Sequence, residues 1–267
     1  MRPPADASAA PALFDLSEIR VAAGGRALLD GITCRFAPGR ISGLIGPNGS
    51  GKSTLMRLLA RQARPGSGRI LFRGRDLAAV GQRDFARQVA YLPQFTPPTD
   101  GMRVEELVAL GRFPWHGLLG RFGARDRAKV DEAIRRTGTG AFRGRAVASL
   151  SGGERQRVWL AMLLAQDAAC LLLDEPTSAL DIAHQIDVLS LVRALGRESD
   201  LGVIVILHDI NMAARFCDDI VALGAGRIVA EGTPDAVMRE DVLARIYGLR
   251  MGVHRLPGTG DVVGYPL

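Results

Sequence analysis

Ile41-Ser-Gly-Leu-Ile-Gly46-Pro-Asn-Gly-Ser-Gly51-Lys52-Ser53-Thr54-Leu55 decides the fold. Its first five residues read as a buried strand, and Leu55, Leu58 and Leu59 put apolar positions on one face of a helix. Between them, Gly46, Pro47, Asn48, Gly49, Ser50, Gly51, Lys52, Ser53 and Thr54 carry the phosphate-loop pattern in the strand–loop–helix context it requires. The glycines let backbone N–H groups converge on phosphate oxygens, and the helix N-terminus adds positive potential. Lys52 reaches the β- and γ-phosphates, and Ser53 can ligate Mg²⁺. The sequence therefore predicts nucleotide binding.

Working outward, short runs rich in Val, Ile and Leu recur between helical stretches, the pattern of a mainly parallel α/β sheet. Residues 41–45, 170–173 and 203–207 are the clearest buried strands. The run Cys170-Leu-Leu-Leu-Asp174-Glu175 ends in two carboxylates at the edge of the sheet where ligands of open α/β folds bind. Asp174 is placed to hold Mg²⁺, directly or through water. Glu175 is then placed to polarise an attacking water, a general-base role of about 10²–10⁴-fold. Between about residues 97 and 148 the strands give way to helical spacing, with Val104, Leu107 and Val108, then Val130, Ala133 and Ile134. After Leu249 the composition turns to Gly and Pro with little periodicity, and no task is assigned to it.

Leu150-Ser151-Gly152-Gly153-Glu154-Arg155-Gln156 opens another helix. Ser-x-x-Glu is an ordinary capping box, yet a hydroxyl and two glycines at a helix N-terminus also form an anion site. The phosphate loop already surrounds a triphosphate, so a second phosphate-binding helix start points to a ligand shared between two chains.

Composition bounds the rest. With 267 residues and 47% hydrophobic content the chain can bury a sizeable core. The apolar runs fall far short of the roughly 20 residues that span a bilayer, and residues 1–11 lack the basic start of a secretory signal. A frayed start over residues 1–12 and a cytosolic chain are expected. Cys34, Cys170 and Cys217 lie far apart, which argues against zinc and against a disulfide framework. The net charge of +6 comes from scattered arginines, with Arg135–Arg136 the only adjacent pair, so no nucleic-acid partner is expected.

Residues 150–156 resemble the signature motif of ATP-binding-cassette (ABC) ATPases, and the order of motifs from about Leu13 to Leu249 is that of the family. The resemblance implies a head-to-tail homodimer in which the phosphate loop of one chain and Ser151, Gly152 and Gly153 of the other close on each ATP, with Glu154 and Gln156 completing the signature. Gln94, in Tyr91-Leu-Pro-Gln, matches the glutamine that touches Mg²⁺ and reports to a membrane subunit. Ser178-Ala-Leu-Asp181 matches the D-loop, and His208 matches the histidine that contacts the γ-phosphate. One position departs from the pattern: Ala23 stands where an aromatic residue usually stacks on adenine, which removes a stacking contribution of about 1–3 kcal/mol.

The fold implied is α/β, a P-loop ABC ATPase core over residues 13–250 with an N-terminal antiparallel β portion and an inserted helical subdomain at about 95–160, followed by a tail over 251–267. Gly111-Arg-Phe-Pro-Trp-His-Gly-Leu-Leu-Gly-Arg-Phe-Gly123 with residues 126–134 resembles the ATPase of bacterial ferric-hydroxamate siderophore importers. So do residues 178–184, 207–215 and 246–248. Phe113, Trp115 and Phe122 can equally be packing residues of the subdomain. The likeness implies integral membrane permease subunits as partners, a periplasmic or surface siderophore-binding protein indirectly, and a place on the cytoplasmic face of the inner membrane. Haem or cobalamin is the alternative cargo. A soluble ABC ATPase is the rival from another class, but this chain has one cassette and no heptad run. A nucleotide sensor without turnover is opposed by Glu175 together with His208.

Overall fold

Alternation interrupted by bulges shapes the N-terminal strands of the computed structural model, which describes residues 11–117 and 120–267. In β1 (Phe14–Ala23) the buried positions are Phe14, Leu16 and Ile19. The step from two to three is taken at a bulge where Glu18 adopts φ +52°. β1 pairs antiparallel with β2 (Arg26–Phe36), and then with β4 (Ser67–Phe72), giving a four-stranded sheet in the order β2-β1-β4-β5 with β5 at Arg75–Asp76. This is the expected antiparallel portion.

β3 (Ile41–Ile45) is buried at every residue, as a strand covered on both faces must be. It lies in a six-stranded sheet of order β10-β9-β3-β8-β7-β6, formed with β6 (Val89–Leu92), β7 (Cys170–Leu173), β8 (Gly202–Ile206), β9 (Asp219–Gly224) and β10 (Arg227–Gly232). Only the β9–β10 pairing is antiparallel. Side chains alternate across the sheet into two cores. Leu44, Leu172, Ile204 and Ile206 join α1 (Lys52–Leu59) and the antiparallel sheet, while Ile45, Leu173, Val203 and Val205 meet the helices of the other face.

After α2 (Gln82–Ala86) and β6 come α3 (Val104–Leu110), α4 (Phe113–His116), α5 (Ala124–Arg136) and α6 (Gly152–Ala165), where the helical insert is expected. Arg112 is fully buried there. Its Nε donates to Asp126 and its Nη1 to the Ala165 carbonyl, both at 2.9 Å, and its guanidinium lies 5.0 Å from the Trp115 ring centre. Trp115 Nε1 donates to the Gln166 carbonyl at 2.6 Å. Trp115 is thus a packing residue, whereas Phe113 and Phe122 stay 50% and 39% exposed and flank His116 edge-on. Residues 1–10, and Leu118 and Leu119 of the string quoted above, lie outside the described residues.

α7 (Ile182–Ser199) and α8 (Ile210–Phe216) connect the later strands, and α9 (Pro234–Val237) and α10 (Glu240–Tyr247) follow the sheet. The closing segment left unassigned from sequence is a hairpin, β11 (Met251–Arg255) with β12 (Val262–Pro266). Asn211 anchors it. Its Oδ1 accepts from Gly264 N at 2.8 Å and its Nδ2 donates to Gly264 O at 3.2 Å. Among the described residues no helix is long and apolar enough to cross a membrane.

Candidate nucleotide site

The four parallel strands β3, β8, β7 and β6 end in step, with Leu44 opposite Ile206, Val205 opposite Leu173, and Leu173 opposite Leu92. The residues that follow them, the loop 46–51, His208, Asp174–Glu175 and Gln94, therefore emerge along one sheet edge. Gly46 leaves β3 with φ +137°, and a β-carbon there would fall 2.0 Å from the Leu223 carbonyl oxygen, so no other residue fits. A cavity of about 190 Å³ lies over this loop, lined by residues 48–54, Leu28 and Glu175. Ala23, at the end of β1, is exposed and contributes no ring.

Lys52 is 5% exposed. Its Nζ donates to the loop's own carbonyls, Gly46 at 2.8 Å and Pro47 at 3.0 Å. Burial lowers the pKa of the ammonium, against the opposite pull of Glu175 and Asp174. Ser50 Oγ is buried and has no hydrogen-bond partner among the described residues.

Asp174 is 4% exposed, and its carboxylate faces Ser53 Oγ and the Tyr91 hydroxyl, each at 3.5 Å. Burial, and then the charge of Glu175, raise its pKa; Tyr91, Ser53 and Lys52 oppose the shift. Burial and the charge of Asp174 in turn push the Tyr91 phenol up to about 12. Tyr91 was not singled out as a site residue from sequence; it reaches the site only because its strand lies beside β7.

Glu175 sits at φ +52°, a left-handed conformation that costs a non-glycine residue about 1–3 kcal/mol. Its Oε2 accepts from Gln94 Nε2 at 2.6 Å and lies 2.8 Å from His208 Nε2. A carboxylate only accepts, so His208 Nε2 carries the proton in this pair. Gln94, Glu175 and His208 are thus joined in one cluster, and Glu175 also borders the cavity over Lys52 and Ser53.

Ser151 caps α6: its Oγ accepts from Glu154 N at 3.3 Å, and its own N–H donates to Glu154 Oε2 at 2.8 Å. The capping box expected from sequence is therefore present. No residue of 151–156 lines the cavity over the phosphate loop; Gly152 and Gln156 line a separate cleft with Gln94 and Glu175. Asp181 caps α7, accepting from His184 N at 2.9 Å.

A family model described as ABC transporter matches residues 29–178. The chain belongs to the ABC transporter family. The chain is 40% identical over 89% of its length to the ferric enterobactin transport ATP-binding protein of Escherichia coli (strain K12), covering 88% of that protein. It is 37% identical over 92% of its length to the iron(3+)-hydroxamate import ATP-binding protein of Bacillus subtilis (strain 168), covering 91% of it. Identity to the hemin import ATP-binding protein of Streptomyces coelicolor (strain ATCC BAA-471 / A3(2) / M145) is 41% over 99% of this chain and 93% of that one. In fold it matches the ADP conformation of an ATP-binding cassette of an ABC transporter, with TM-score 0.79 at 20% identity over 88% of this chain and 98% of the other. The cassette is an importer ATPase: it binds ATP and hydrolyses it.

The raised pKa of Asp174 has a consequence for stability. A carboxyl whose folded pKa lies above its unfolded value of about 3.9 contributes most stability below that value and loses it as pH rises through the folded pKa. The nucleotide-free cassette takes on that penalty as the carboxyl ionises. Asp174→Asn is therefore expected to raise the melting temperature at pH 7.5, with the gain shrinking as pH falls through the carboxyl range. Thermal scans of both proteins across pH check it; a lower melting temperature for the variant at pH 7.5 contradicts it.

Proposed function

We propose that the cassette powers import of an iron(III) siderophore, of the ferric-hydroxamate class, with Glu175 as the base of ATP hydrolysis. The observation that carries the catalytic part is the position of the Glu175 carboxylate: it borders the phosphate-loop cavity while bonded to Gln94 and His208. ATP enters over residues 46–54, and Lys52 turns from the loop carbonyls to the β- and γ-phosphates. Phosphate contacts dominate affinity, since Ala23 offers adenine no ring.

Mg²⁺ suits the oxygen donors gathered here: Ser53 Oγ and an Asp174 oxygen lie 3.5 Å apart, and Mg²⁺ prefers hard oxygen ligands completed by water. Ser53, Asp174 and Gln94 would hold it. When bound, it neutralises charge on the phosphates. Once Gln94 and His208 release Glu175, with His208 turning to the γ-phosphate, the freed carboxylate takes a proton from water. That water's oxygen attacks the γ-phosphorus, the bond to the ADP oxygen breaks, and ADP and phosphate result.

Two copies act head to tail, each ATP meeting the phosphate loop of one and Ser151, Gly152 and Gly153 of the other, with Glu154 and Gln156 supporting that helix end and Asp181 at the contact. Support comes from the lining of the phosphate-loop cavity, which takes nothing from residues 151–156 of its own chain. Membrane permease subunits dock on the helical insert, where Phe95, Phe113 and Phe122 are 84%, 50% and 39% exposed. The cassette then sits on the cytoplasmic face of the inner membrane, and a siderophore-binding protein delivers cargo from the other side. The identity to a hemin import ATPase keeps haem as an alternative cargo beside cobalamin.

Mixing Ser151→Arg chains with Lys52→Ala chains gathers both lesions in one composite site and leaves the other intact. ATPase activity of the mixture is expected to exceed that of either variant alone. No gain, with heterodimers shown to form, contradicts shared sites. For cargo, deletion of the gene is expected to abolish uptake of labelled ferric hydroxamate under iron limitation and to spare haem and cobalamin. Intact hydroxamate uptake with loss of haem or cobalamin uptake would overturn the cargo assignment and leave the ATPase reading standing.

A further inference from the structure

Gly153 lacks a side chain for a reason found in its own chain. A β-carbon there would fall 2.4 Å from Cδ2 of His184, so the imidazole rests against the backbone of the signature helix start. The same ring is tied to the next loop. His184 Nδ1 lies 2.8 Å from Asp181 Oδ1, and the same carboxylate oxygen caps α7 through His184 N at 2.9 Å. Asp181 can only accept, so Nδ1 carries the proton and donates it. Around this contact the two elements meet twice more. A β-carbon on Gly152 would lie 3.3 Å from Leu180 Cδ2, and Arg157 of α6 pairs with Asp187 of α7 at 3.0 Å. Neither His184 nor its neighbour Leu180 lines the cavity over the phosphate loop.

We propose that His184 is a positioning residue for hydrolysis: bonded to Asp181 and packed on Gly153, it holds the N-terminal turn of α6 and the loop at 178–181 as one body. The proposal rests on the reading that residues 151–153 serve a second cassette's ATP. Both elements that would face that cassette are then set relative to each other before it arrives. Without the donor to Asp181 and the planar group resting on Gly153, the phosphate-binding turn and the loop that carries Asp181 move independently, and ordering them is a cost charged to closure of the dimer. Binding of ATP to the phosphate loop of a single chain is untouched, because His184 makes no contact there.

Two variants separate the bond from the bulk. His184→Asn keeps a planar group with an N–H donor at the position of Nδ1; His184→Ala removes both donor and ring. Hydrogen exchange of the nucleotide-free protein reads the unit within one chain, and steady-state ATPase kinetics with titration of a fluorescent ATP analogue onto dilute protein read its use. His184→Ala is expected to speed exchange over residues 150–158 and to raise KM for ATP about five- to tenfold, the scale of one lost hydrogen bond. Analogue affinity of the dilute chain stays within about twofold of wild type, and His184→Asn behaves as wild type in all three. Unchanged exchange in His184→Ala, or an Asn variant no better than Ala, overturns the proposal. Faster exchange with unchanged KM overturns the role in hydrolysis. Absence of shared sites in the mixing experiment, with exchange still faster, locates the failure in the reading of residues 151–153 rather than in the contact.

Discussion

The common ending of four parallel strands is the constraint on which everything else depends. Parallel register sets Leu44 beside Ile206, Val205 beside Leu173 and Leu173 beside Leu92, and each strand then has one or two residues in which to deliver a functional group. A slip of one residue in any of them would turn its apolar side chains toward the wrong core, because Leu172 and Leu173 feed opposite cores. Packing and site geometry are therefore specified together: the burial that holds β7 in register also sets where Asp174 and Glu175 emerge.

Two carboxylates and one ammonium share that edge, nearly all withdrawn from water. Lys52 meets its needs through the carbonyls of its own loop, and Asp174 through Ser53 and Tyr91. Glu175 is held by Gln94 and His208 at a strained backbone angle. In the proposed cycle the contacts of Lys52 and of Glu175 are ones that ATP competes for. The nucleotide-free arrangement thus keeps the base occupied by the two residues that the nucleotide must recruit, which ties readiness for hydrolysis to a fully loaded site.

Much of this was legible in the sequence because it is local. The phosphate loop, the Asp174–Glu175 pair and the capping box at Ser151 are short strings flanked by strongly patterned elements, and the helical insert announces itself through the spacing of Val104, Leu107 and Val108. What was not legible depends on contacts between distant segments. Tyr91 faces Asp174 only because β6 lies beside β7, and His184 meets Gly153 only because α7 packs on α6. The closing hairpin escaped because its strands show no clear alternation: Val262 and Val263 adjoin, and Gly252 and Gly264 are buried for lack of a side chain rather than for having an apolar one. A Pro-Gly-Thr-Gly turn between residues 257 and 260 was the one cue on offer.

Membership of the family and the presence of an ATPase do not by themselves say which group takes the proton from water. Single-turnover hydrolysis by Glu175→Gln, measured beside its affinity for ATP, addresses that step directly. The account predicts ATP binding close to wild type, cleavage slowed by about 10²–10⁴-fold, and accumulation of a nucleotide-bound dimer. Cleavage at near wild-type rate in the purified variant would contradict it.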